Sequence, residues 1–87
     1  MKNIPVSAVC KNQYVIVLND YLYVGVVSMV GVSCFSVTTT WSNDPIKHST
    51  VYFHINRRNF TIIYKSSFPL DYTDLSDLLK DHPELLI

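Results

Sequence analysis

From Tyr21 to Trp41 the chain reads YLYVGVVSMVGVSCFSVTTTW, a stretch without one charged side chain. It has to be buried, as a membrane span, a central helix or strands inside a sheet. Val24, Val26, Val27, Val30, Val32 and Val37, with Thr38, Thr39 and Thr40, are β-branched residues that fit a pleated surface better than a helix. Gly25 and Gly31 would each cost a helix about 1 kcal/mol relative to alanine. A spanning helix needs about 20 mostly apolar residues, and here Ser28, Ser33 and Ser36 interrupt the run with no flanking cluster of Lys or Arg. Buried strands are therefore expected.

Parity refines this. After Ser33, Phe35, Val37 and Trp41 share one parity and Ser36, Thr38 and Thr40 the other, the pattern of a strand with one wet face. Residues 21–27 are apolar on both faces and belong in the sheet interior or beneath another layer. Ser28 to Gly31 is a weak break, so the stretch forms either one bent strand or two.

Upstream, residues 6–10 suggest a short first strand. Tyr14 to Leu18 reads as a strand, and the Asn19-Asp20 pair as a two-residue turn placing Leu18 opposite Tyr21 and Val15 opposite Val24. Downstream, Ser42, Asn43, Asp44 and Pro45 end the central run. TVYFHIN, two arginines and NFTIIYK then suggest a second hairpin, with Phe53 opposite Ile62 and Tyr52 opposite Ile63. Beyond Pro69 the apolar period lengthens to about 3.6, with Tyr72, Leu75, Leu78 and Leu79 on one stripe. Asp71 or Thr73 is the expected cap, and Pro83 the stop.

At 87 residues, 48% of them hydrophobic, the chain is one domain (1–87) with a single modest core. The expected fold is β-rich α+β: a curved antiparallel meander of four to six strands over residues 1–66, a C-terminal helix over 71–82 and an apolar tail over 83–87.

Seven basic and seven acidic residues balance, leaving no global field for nucleic acid or an anionic membrane. The distribution is bipolar: Lys47, Arg57, Arg58 and Lys65 hold the middle, and Asp71, Asp74, Asp77, Asp81 and Glu84 the tail. No signal peptide is legible before Lys11, so Cys10 and Cys34 are expected as reduced thiols in an intracellular, cytoplasmic protein.

Candidate chemistry is sparse. His48, His54 and His82 lack ligand spacing, the two cysteines have no partner nearby, and two glycines cannot build a phosphate loop, so neither metal nor cofactor is expected. Cys34, His54 and an aspartate make only a generic nucleophile and base. Arg57, Arg58, Lys65, His54 and Tyr52 could offer cations and one stacking ring to a single strand of nucleic acid. DLSDLL (74–79) fits both acidic dileucine and LxxLL patterns, and DHPELL (81–86) repeats the first, yet a helix of this size needs its leucines for its own core.

The resulting expectation is a small non-catalytic protein-binding module, an inhibitor or adaptor acting on a larger host protein. Scarce Ala, Gly and Arg beside plentiful Asn, Ile, Tyr and Val accompany AT-rich viral, phage or mobile-element genomes. Expected partner-binding residues are Asp74, Asp77, Asp81, Arg57, Arg58 and Tyr52, and a homodimer is also compatible. Single-stranded nucleic-acid binding through a basic hairpin, 47–65, is the alternative, and a small membrane-associated protein the second.

Overall fold

The computed structural model describes residues 3–57 and 59–86. Five strands, β1 (Tyr14–Leu18), β2 (Leu22–Val30), β3 (Cys34–Ser42), β4 (Thr50–His54) and β5 (Thr61–Ser66), form one antiparallel sheet in the order β4-β3-β2-β1-β5. A helix, α1 (Leu75–Asp81), follows, so the fold is the expected β-rich α+β meander with a C-terminal helix.

The long uncharged stretch is two strands, β2 and β3, at the centre. They are joined at residues 31–33, where Gly31 N–H donates to the Cys34 carbonyl at 2.8 Å. Leu22, Tyr23, Val24 and Val27 are all buried, as residues with apolar neighbours on both faces must be.

Curvature comes from irregular pairing. The β2–β3 register shifts between Val24 and Gly25 and again between Val27 and Met29, and the β1–β5 register shifts between Ile16 and Val17. Each extra residue bends its strand and swaps the faces beyond it. Gly25 sits at one such bend, where a Cβ would run into the Thr38 carbonyl. The curl gathers Val15, Val17, Tyr23, Val27, Phe35, Val37, Phe53 and Ile62 into a concave core. Phe53 of β4 stacks on Phe35 at 5.2 Å between ring centroids, and both meet Phe60 from the β5 side. On the convex side Leu78 of α1 is fully buried against Ile16, Leu22, Val24 and Ile63, with Leu18, Trp41, Leu70, Tyr72 and Leu85 packed around them.

Several expectations are corrected. Residues 6–10 are not a strand: Val6–Ala8 is a 3-10 helix, and before it Ile4 makes an isolated bridge to Ile62. The β1–β2 loop holds three residues, so Leu18 faces Leu22 and Val15 faces Gly25, one residue from the expected register. The Asn19 side chain, accepting from the Asp20 amide at 2.6 Å, favours this wider loop. Trp41 does not share the face of Phe35 and Val37, because the bulge before it turns it to the helix side.

The largest correction concerns the second hairpin. β4 pairs only with β3 and β5 only with β1, at opposite edges of the sheet. Both run in the direction of β2, and strands running the same way cannot be joined by a tight hairpin. β1 explains the choice: Val15, Ile16 and Val17 are wholly buried, and without β5 beside it this two-sided apolar strand would be an exposed edge. The link from β4 to β5 therefore joins opposite edges of the sheet, which the curl brings close enough for Phe53 to meet Phe60.

The helix also starts later than expected. Asp74, not Asp71 or Thr73, is the cap, accepting from the Asp77 amide at 2.8 Å. Leu75 is turned outward, and the tail adds a second 3-10 helix, Pro83–Leu86, with Leu85 on the convex core. Ile87 lies outside the described residues.

Candidate functional site

The acidic residues expected to meet a partner are mostly occupied. Asp74 caps α1, and Asp81 accepts the Tyr72 hydroxyl at 2.7 Å, while that hydroxyl also lies 3.4 Å from Nε2 of His82. Burial, and then the bond to Asp81, push the Tyr72 phenol up to about 12. His82 is buried against Tyr64, ring centroids 4.9 Å apart. These contacts fasten the helix to β5. Among the described residues only Asp77 of the three aspartates keeps its carboxylate without a partner. The LxxLL leucines are divided in the same way, with Leu78 buried, Leu79 half-buried and Leu75 exposed.

Topology also splits the basic constellation. Tyr52 and His54 lie on β4 and Arg57 just beyond it, whereas Lys65 is at the far edge and donates to the Ala8 carbonyl at 2.6 Å. There is no basic hairpin over 47–65. Arg58 lies outside the described residues. Cys34 and His54 stand opposite each other across β3 and β4, yet no hydrogen bond joins them, and among the described residues no cluster of His, Cys, Asp or Glu could hold a metal ion. Cys10 is exposed, Cys34 half-buried, and both thiols are free.

The structure instead brings together one side of the sheet. The ladder places Met29, Ser36 and Tyr52 in one row across β2, β3 and β4. Met29 is 42% exposed and Tyr52 60%, while Ser36 between them is buried and shares a 2.8 Å hydrogen bond with Ser28. Val32 at the hairpin tip is fully exposed; Val30 is also exposed, but it pairs with Phe35 and so lies on the other face. The helix covers the β1–β2–β5 part of the sheet and leaves this part open.

The same strand presents an unpaired edge. Ile55 N–H donates to the Ser33 carbonyl at 2.8 Å and Thr39 N–H to the Ser49 carbonyl at 3.0 Å. These bonds fix the odd-numbered residues of β4 as the ones bonded to β3. The backbone groups of Thr50, Tyr52 and His54 therefore point away from the sheet. Among the described residues they meet one partner, the Arg57 amide, which donates to the His54 carbonyl at 3.2 Å. No charged side chain lies between Lys47 and Arg57.

A groove of about 550 Å³ runs between Asn3–Ser7 and the residues Ile55, Phe60 and Thr61. Among the described residues its lining contains no titratable side chain. Sequence reading placed Tyr52 on a wet face, but it could not identify Met29 and Val32 or the open edge, since both depend on which strand lies outermost. Among the described residues no helix is long and apolar enough to cross a membrane. Comparison with protein-family models, curated proteins and solved structures returns no match.

Proposed function

We propose that this chain is a small non-catalytic protein-binding module, an intracellular inhibitor or adaptor that acts by occupying a surface of a larger protein. The supporting observation is the exposed row of Met29 and Tyr52, with Val32 at the nearby hairpin tip, on the part of the sheet that the helix leaves uncovered. Aromatic residues and methionine are enriched at protein interfaces, and a rigid sheet can present them without ordering cost. Several polar side chains are used in holding the fold together: Asp44 on Tyr23, Asp81 on Tyr72, Asn43 on the Leu22 amide.

The test is recovery of partners from the native host with the wild-type chain and with Met29→Glu and Tyr52→Glu. The expected result is a stoichiometric partner that both variants lose while melting as the wild type does. Recovery of the same proteins by all three chains would remove this surface from consideration.

A further inference from the structure

We infer that the open edge of β4 takes up an extended segment of a partner protein whose acidic residues flank an uncharged stretch. This inference rests on the reading of the chain as a protein-binding module and names the chemistry of the segment bound.

Three observations converge. Thr50, Tyr52 and His54 turn their backbone N–H and C=O groups outward at alternate positions, which is the spacing an added strand needs. Folded proteins guard such edges with a lysine, a proline or an inward-pointing charge, and β4, TVYFH, has none of these. Cations stand at both ends instead: Lys47 before the strand and Arg57 after it, both exposed. The nearest acid at the first end, Asp44, is buried and already bonded to the Tyr23 hydroxyl and the Ile46 amide.

The charge pattern selects the occupant. A second copy pairing antiparallel about Tyr52 would set Arg57 of one chain across from Lys47 of the other at both ends, a repulsive arrangement. A segment with acids at its two ends meets a cation at each, whichever way it runs. Side chains of the bound strand on the convex face would lie next to Tyr52, and its backbone would satisfy the outward groups of Thr50, Tyr52 and His54. The groove at Ile55 and Phe60 lies beyond the far end of the same strand.

The experiment titrates the full chain, followed by amide NMR, with two synthetic peptides. Each has a core of about seven alternating threonines and valines, enough to span β4 with one residue over at each end. One carries two glutamates at each terminus and the other two lysines. The glutamate peptide should bind about tenfold or more tightly than the lysine peptide at low salt, with the gap narrowing as salt rises. Amide shifts and slowed hydrogen exchange should centre on Thr50, Tyr52 and His54. Tyr52→Pro removes an amide that β3 does not use, a position where an edge strand tolerates proline, and should abolish binding while Tyr52→Ala keeps it. Lys47→Glu combined with Arg57→Glu lies on exposed residues and should reverse the preference between the peptides, which keeps the inference testable if the proline variant fails to fold.

Equal affinity for the two peptides would overturn the inference, as would shifts confined to other strands. Concentration-dependent dimerisation without peptide, lost in Tyr52→Pro, would assign the edge to a second copy. Binding of oligothymidine at these amides with neither peptide bound would assign it to nucleic acid. If neither peptide binds while partner capture still depends on Met29 and Tyr52, the module reading stands and the edge inference alone falls. If the glutamate peptide binds as described but no partner is captured, the edge inference holds by itself.

Discussion

The hydroxyl of Tyr23 donates a 2.7 Å hydrogen bond to Oδ2 of Asp44, tying the middle of the sheet to the loop that ends β3. Both residues are buried, and Oδ1 of the same carboxylate accepts the Ile46 amide at 2.9 Å. The phenol holds the Asp44 carboxyl below the ordinary carboxylate range, with the Ile46 amide assisting. Burial, and then Asp44 itself, push the Tyr23 phenol from 10.0 to about 12.

Tyr23→Phe should lower the urea-unfolding midpoint, because it leaves the Asp44 carboxylate oxygen without its donor. The pair also sets a pH dependence at each end of the scale. Asp44 is depressed in the folded state, so its contribution is complete above the ordinary carboxylate pKa and is lost as pH falls through the folded value. Tyr23 is raised, so its contribution is complete below about 10 and is lost between about 10 and about 12. Tyr23→Phe should flatten the stability profile in both windows.

Alkaline absorbance titration of the folded chain should show two phenols ionising near pH 12, Tyr23 and Tyr72. Removing either by substitution with phenylalanine should remove one of them. A titration with no component near pH 12 would contradict the burial and hydrogen bonding of both phenols together.

The leucines of α1 should separate in thermal melts. Leu78→Ala should cost about 2 to 5 kcal/mol, since that side chain is wholly buried under the helix. Leu75→Ala, on an exposed residue, should fall within about 0.5 kcal/mol of the wild type. Equal melting of both variants would mean that α1 does not pack on the sheet.

Asp74→Ala should cost about 1 kcal/mol through loss of the cap, whereas Asp77→Ala should leave the melting temperature nearly unmoved. A charge-reversal test of the acidic face is therefore clean only at Asp77. Helix content by circular dichroism distinguishes the two variants.

Gly25→Ala should destabilise the fold by about 1 to 3 kcal/mol or more, because the new methyl would meet the Thr38 carbonyl and lie 2.8 Å from Cγ1 of Val37. Denaturant unfolding measures it. A neutral result would show that the bend at Gly25 relaxes freely.

Much of the local structure could be read from residue type alone. β1 was legible to the residue, since its ends are set by a polar break and an Asn-Asp turn. The two-sided burial of residues 22–27, though not of the exposed Tyr21, the wet face of β4 at Tyr52 and the change to a helical period after Pro69 follow from side-chain alternation, which is a property of neighbouring residues. Of the residues on and beside β4, Tyr52, His54 and Arg57 were singled out from the sequence, and the acidic face proved to be largely committed to holding α1.

Pairing was decided only in three dimensions. Val51 and Phe53 alternate correctly for a hairpin with Phe60 and Ile62, and nothing in the alternation shows that the two strands belong at opposite edges. That follows from β1, whose two apolar faces require a neighbour on each side, and from bulges at Gly25, Met29 and Val17 that curl the sheet until Phe53 meets Phe60 across its concave face. The sequence determined where β1, β4 and β5 lie, that the chain turns helical after Pro69 and most of which faces are apolar, because those depend on side chains a few residues apart. The tertiary structure decided which strand is left at the edge, because that depends on the burial of all the others at once.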